Sequence, residues 1–172
     1  MKSNYIYKGR VLNLKIDDIK LPNKKIVKHE IVEHQGSVAI LAIDNDEVLL
    51  VKQYRSPFKS EVLEIPAGII EFGEKSYEAG LRELQEETGA YTNKLVYLGE
   101  VYPSPGYTDE IVHLYFTDQV EIKKPNPDED EFIKVERVKF SKVLQMIEEG
   151  KIVDAKTIIA ILKYKLIKGG LR

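Results

Sequence analysis

Residues 38–43 read Val-Ala-Ile-Leu-Ala-Ile, an unbroken apolar run rich in β-branched side chains, which predicts a strand buried on both faces. Asn45-Asp46 interrupts it, and Val-Leu-Leu-Val follows at 48–51, so a hairpin is expected there. Upstream, residues 11–16 and 25–32 read as strands on either side of a Leu-Pro-Asn-Lys turn at 21–24. Further strands are expected at 62–65, 95–102, 111–116 and 132–140. The period changes after Ser76. Tyr77, Leu81, Leu84 and Thr88 recur at helical spacing, with Ser76 as the expected N-cap and Gly89 as the stop. Gly80, inside this helix, costs roughly 1 kcal/mol relative to alanine, so close packing against the backbone is expected there. Two terminal helices are predicted, one from a Ser141 cap to Gly150 and one from an Asp154 cap to Gly169-Gly170. Strands with one internal and two terminal helices predict an α+β fold, a sandwich in which helices cover a mixed sheet.

A chain of 172 residues suits one domain with a substantial core. No apolar run approaches the roughly 18 residues that span a bilayer, and the first residues carry no leader pattern. The absence of cysteine excludes disulfides, thiol nucleophiles and Cys-based zinc sites. Cytoplasm is the default expectation. A net charge of −2, with basic and acidic residues interspersed, argues against a nucleic-acid surface.

The chemistry is concentrated in residues 68–90. The chain reads Gly68, five residues, Glu74, seven residues, then Arg82-Glu83-Leu84-Gln85-Glu86-Glu87-Thr88-Gly89-Ala90. Glu83 and Glu87 share a helix face, with Glu86 beside them, and like charges so spaced destabilise a helix. A pyrophosphate approaching them meets repulsion of about 4 kcal/mol per close pair at an effective dielectric near 20. A hard divalent cation reverses the sign, because Mg²⁺ favours carboxylate oxygens together with substrate phosphates. The expectation is that this acidic face is tolerable only with such ions bound.

The segment 68–90 resembles the box of the Nudix hydrolase family, with Ala90 the one soft match. The resemblance implies a Nudix-type α/β/α sandwich and hydrolysis of a nucleoside diphosphate linked to another moiety, with Mg²⁺ or Mn²⁺. By that resemblance Glu83 and Glu87 are the main metal ligands, assisted by Glu86 and by the Ala67 carbonyl. Glu74 and Arg82 correspond to the family's buried structural ion pair, and Gly68 and Gly89 are structural.

Four further patches bear on the substrate. Ser104-Pro105-Gly106, downstream of the box, resembles a marker of the ADP-ribose pyrophosphatase branch and implies that Ser104, Gly106 and the later Glu110 line the site. Gln53-Tyr54-Arg55 ends a strand with one of only five arginines, a fork for phosphate or adenine. Asp128-Glu129-Asp130-Glu131 corresponds to a loop whose glutamate serves as catalytic base in that branch; spacing does not separate Glu129 from Glu131. His29-Glu30 stands where relatives have Arg-Glu, in a region exchanged across a homodimer. His34 and His113 read as packed or solvated histidines. The resemblance therefore implies an N-terminal strand region at 1–36, exchanged between subunits, and a hydrolase domain at 37–172. It also implies conversion of ADP-ribose and water to AMP and ribose 5-phosphate. Competing expectations are another nucleoside diphosphate sugar, NADH or a dinucleoside polyphosphate as substrate, or a non-catalytic ADP-ribose sensor.

Overall fold

The apolar run at 38–43 lies at the centre of the structure, a computed structural model that describes residues 3–123 and 133–169. The N-terminal strands are β1 (Ser3–Lys8), β2 (Leu12–Lys20) and β3 (Ile26–His34). Then follow β4 (Ser37–Asp44), β5 (Glu47–Arg55), β6 (Ser60–Glu64) and β7 (Ala67–Ile69). Helix α1 (Ser76–Thr88) leads to β8 (Ala90–Tyr91), β9 (Val96–Val101), β10 (Val112–Thr117) and β11 (Glu121–Ile122). Strand β12 (Ile133–Lys139), α2 (Phe140–Glu148) and α3 (Ala155–Gly169) complete the described chain.

The main sheet runs β12-β5-β4-β10-β9, with β6 on β5 and β7 on β4. It is mixed, because β4 and β10 pair in parallel while the other pairs are antiparallel. Side chains on β4 alternate between two cores, as the period of a strand requires. Ala39, Leu41 and Ile43 pack with Val143 of α2 and Ala160 and Ile161 of α3. Val38, Ile40 and Ala42 pack with Ala79 and Leu84 of α1. This is the expected α/β/α sandwich. Asn45 and Asp46 both have positive φ, 49° and 67°, the twist that a tight hairpin needs.

The first three strands form a separate antiparallel sheet, β1-β2-β3. It carries exposed Tyr5, Ile6, Tyr7, Leu12 and Ile26, with exposed Val11 in the bend between β1 and β2. No described helix is long and apolar enough to cross a membrane.

Local expectations are corrected at several points. The strand expected at 62–65 is β6, which ends at Glu64, one residue early, and Gly68 is the centre of a further short strand, β7. The N-cap of α1 is Lys75, and Ser76 enters the helix, where its hydroxyl meets the Tyr115 hydroxyl at 2.9 Å. Ser141 is likewise inside α2, whose cap is Lys139. Tyr77 is 37% exposed, while the buried face of α1 is Ala79, Gly80, Glu83, Leu84, Glu87 and Thr88. Leu84 and Thr88 of the expected stripe are buried and Leu81 partly so, and only Tyr77 departs; the face also takes in two carboxylates held by polar partners. Gly80 behaves as expected: a Cβ there would lie 2.9 Å from Leu95 Cδ1. Asp154 also caps as expected, its Oδ2 accepting the Thr157 N–H at 2.9 Å.

Candidate functional site

Strand β7 sets the site, because its backbone supports the carboxylates of α1. Glu83 is 9% exposed and Glu87 3%. The Ala67 N–H donates to Glu87 Oε2 at 2.9 Å. The Glu83 carboxyl lies against Gly68 so closely that an added Cβ would stand 2.0 Å from Oε1 and 2.1 Å from Cδ. Only glycine admits this side chain. The spacing of the motif thus has a steric cause: residue 68 must lack a side chain for residue 83 to reach the backbone.

Arg82 joins the acidic groups. Its Nε and Nη2 donate to Glu74 at 3.0 and 2.9 Å, and Nη1 donates to Glu83 at 2.7 Å and Glu86 at 3.1 Å. Nη2 also donates to the Ile69 carbonyl at 3.2 Å, tying α1 to β7. The Glu74 hydrogen bonds, with the nearby Glu83 and Glu86, hold the guanidinium firmly charged despite partial burial. In return Arg82 lowers the Glu74 carboxyl below the usual carboxylate range. Arg82 therefore offsets part of the expected repulsion, at Glu83 and Glu86, while Glu87 receives the Ala67 N–H.

The donor set fits a hard divalent cation: three carboxylates on one helix surface, Glu83 against Gly68 and Glu87 at the Ala67 N–H. Among the described residues no three acidic or histidine side chains are already gathered for an ion. Glu83 and Glu86 are drawn to Arg82 instead.

Ala67 and Gly68 also line a cleft of about 390 Å³, together with His34, Ser37, Arg55, Pro103, Glu110 and Lys156. Glu110 accepts from Ser37 Oγ at 3.0 Å and stands 4.0 Å from His34 Nδ1. The cleft wall is pinned by loop 103–110: Val32 N–H donates to the Tyr107 carbonyl at 2.7 Å, and His34 N–H to Asp109 Oδ1 at 2.8 Å.

Arg55 does not project freely from its strand end. It forks onto Glu64, with Nε at 2.6 Å and Nη2 at 2.8 Å. Glu64, only 2% exposed, is also bonded by Lys156, which reaches Asp154 at 2.9 Å. Burial would raise the Glu64 carboxyl, but the Arg55 hydrogen bonds and the Lys156 charge outweigh it and keep it lowered. Arg55 is raised, first by its bond to Glu64 and more weakly by the field of Glu87.

The structure therefore brings Ala67, Gly68, Arg55 and Glu110 together at one cleft, bordered by Glu83 and Glu87. Ser104 and Gly106 lie in the adjoining loop, where the Ser104 carbonyl accepts the Tyr107 and Thr108 N–H groups at 3.2 Å. Gln53 sits within the sheet between Val62 and Ile133. His29 and Glu30 are exposed on β3, roughly 16 and 13 Å from His34 at strand rise, and neither lines the cleft. Glu129 and Glu131 lie outside the described residues. Sequence reading passed over Glu64 and Ser37 and placed His34 among packed or solvated histidines. An acidic residue directly before a buried Ile65-Pro66 was the available signal for Glu64.

Residues 33–160 match the NUDIX domain. An ADP-ribose pyrophosphatase of Bacillus subtilis (strain 168) is 42% identical over 170 residues, covering 97% of this chain and 91% of that protein. A methanol dehydrogenase activator of Bacillus methanolicus is 43% identical over 165 residues, covering 94% and 89%. The crystal structure of an ADP compounds hydrolase superposes with a TM-score of 0.84 at 23% identity, covering 98% of this chain and 93% of that one, a likeness of fold. With its motif built around the Gly68 cradle and the domain matched over most of its length, the chain belongs to the NUDIX family.

Proposed function

We propose that the protein is a pyrophosphatase that hydrolyses ADP-ribose to AMP and ribose 5-phosphate with the help of divalent cations, Mg²⁺ or Mn²⁺. The observation that carries this reading is the pair of buried carboxylates, Glu83 and Glu87, seated on the backbone of a cleft that also presents Arg55 and Lys156. Such a site offers oxygen donors for hard cations and basic groups for a diphosphate. The likeness to the B. subtilis ADP-ribose pyrophosphatase over nearly the whole chain supports the choice of substrate.

Glu83, Glu86 and Glu87, with the Ala67 carbonyl, would hold the metal. When bound, it supplies Lewis acidity that offsets diphosphate charge and eases deprotonation of water. Arg55 and Lys156 orient the diphosphate, which places much of the rate gain in positioning and electrostatics. Glu129 or Glu131 takes the proton from the attacking water. Ser104, Gly106, Glu110 and Gln53 complete the substrate surroundings in this reading. Arg82 and Glu74 hold α1 on β7.

The exposed apolar side chains of β1, β2 and β3 support a homodimer in which this region, with His29 and Glu30, faces the partner's cleft. Light scattering on the purified protein tests it: a monomer at micromolar concentration removes the dimer from the reading. In this reading the reaction runs in the cytoplasm.

The deciding experiment incubates purified protein and Mg²⁺ with ADP-ribose, GDP-mannose, NADH and dinucleoside polyphosphates, identifying products by mass. AMP and ribose 5-phosphate from ADP-ribose should dominate, and excess chelator should abolish turnover. Faster cleavage of GDP-mannose would overturn the specificity. Turnover persisting in chelator would overturn the metal chemistry.

A further inference from the structure

Glu64 is a buried acid in a place where the proposed chemistry gives it no direct task. Its Oε1 accepts Arg55 Nε, and its Oε2 accepts both Arg55 Nη2 and Lys156 Nζ. Two cations thus share one carboxylate that is almost wholly removed from water. Lys156 is held from its other side by Asp154, whose second oxygen receives the Thr157 N–H and hydroxyl at 2.9 and 2.6 Å. Thr157 is fully buried, and its hydroxyl oxygen accepts the N–H of Ile65, next to Glu64, at 2.9 Å. The start of α3 and the end of β6 are therefore latched together twice, once by charge and once through a hydroxyl.

Arg55 and Lys156 form the wall between two spaces. One is the cleft beside Ala67 and Gly68. The other is a cavity of about 470 Å³ bounded by Phe58, Val62 and Val153 at its apolar end. The guanidinium has N–H donors beyond those given to Glu64. Arg55 also feels the field of Glu87. Without Glu64, two like charges would separate, and the long Arg55 side chain would turn to Glu87 or to water.

We propose that Glu64 is a positioning residue for anion recognition, holding Arg55 and Lys156 side by side so that both cations meet one phosphate of the substrate. The inference rests on the diphosphate reading above, but its test does not require that reading to hold. Glu64→Gln keeps the size of the side chain and removes the charge that gathers the two cations. KM for ADP-ribose should rise at least tenfold, with a much smaller change in kcat. In an Arg55→Lys background the same change should add no more than about twofold, because the fork is already gone. A merely structural Glu64 would lower the melting temperature and leave KM alone.

Unchanged KM in folded Glu64→Gln, or effects that multiply fully in the double variant, overturns the proposal. If Glu64→Gln does not fold, Glu64→Asp retains the charge, draws the cations back by one methylene, and is judged by the same criteria. Metal-free titration with inorganic pyrophosphate separates the two readings. If the parent cleaves none of the substrates, the proposed function falls, yet tenfold weaker pyrophosphate binding in the variant still supports the role of Glu64. Equal binding refutes it.

Discussion

Gly68→Ala separates the stability of this protein from its chemistry. The new Cβ would stand 2.0 Å from Glu83 Oε1, whereas ordinary contact begins near 3.4 Å, so the carboxyl must retreat by about 1.4 Å. The obstacle is the far end of a side chain, which can rotate, and the main chain of β7 need not move. Rotation sacrifices the 2.7 Å bond from Arg82 to Glu83. Losing a hydrogen bond between charged groups costs about 2 kcal/mol, which for a chain of this size lowers Tm by roughly 4–8 °C. The effect on catalysis should be larger in proportion, since a misplacement near 1 Å can cost about 10²-fold. The assay is initial-rate hydrolysis of ADP-ribose across a Mg²⁺ titration, with a thermal melt on the same preparation. A folded variant with kcat down about 10²-fold is expected. Parental kcat at limiting Mg²⁺ would refute the claim that the Gly68 cradle sets the position of Glu83.

Three further outcomes follow from the same geometry. Thr157→Val should cost about 2 kcal/mol, because the buried Ile65 N–H loses its acceptor; a urea midpoint equal to the parent's would contradict this. Glu74 has its carboxyl lowered by Arg82, so its stabilisation is complete above the unfolded carboxylate pKa and disappears as pH falls through the lower folded value. Glu74→Gln should accordingly be less stable than the parent at neutral pH and converge with it in strong acid, whereas a pH-independent gap would exclude the ion pair as the cause. Replacing Glu129 and Glu131 together by Gln should reduce kcat by roughly 10²-fold with KM largely kept. Full turnover would remove the base from that segment.

Much of the fold was legible because its signals are local. The apolar run at 38–43, the Asn45-Asp46 turn and the Gly89 stop each express a preference of a few adjacent residues, and β4, the hairpin and the end of α1 appear where those preferences put them. The carboxylates of the box were legible by spacing, but the reason for that spacing was not. Whether Glu83 faces water or the backbone depends on Gly68 across a tertiary contact. The apolar stripe of α1 located Leu84 and Thr88 on the buried face, but not Glu83 and Glu87, which join it because Arg82 and the Ala67 N–H meet them there.

The sequence by itself determined the layered α+β architecture, the acidic motif and its place after a strand, since periodicity and spacing are properties of the chain alone. Only the tertiary structure decided which charges share a partner. Arg55 reads as a free phosphate fork at a strand end, and becomes one arm of a cluster in which Glu64 and Lys156, 92 residues apart, meet. No local pattern records that pairing, because the start of α3 meets the end of β6 only in the folded chain, where Glu64 is buried and the choice of its neighbours becomes decisive.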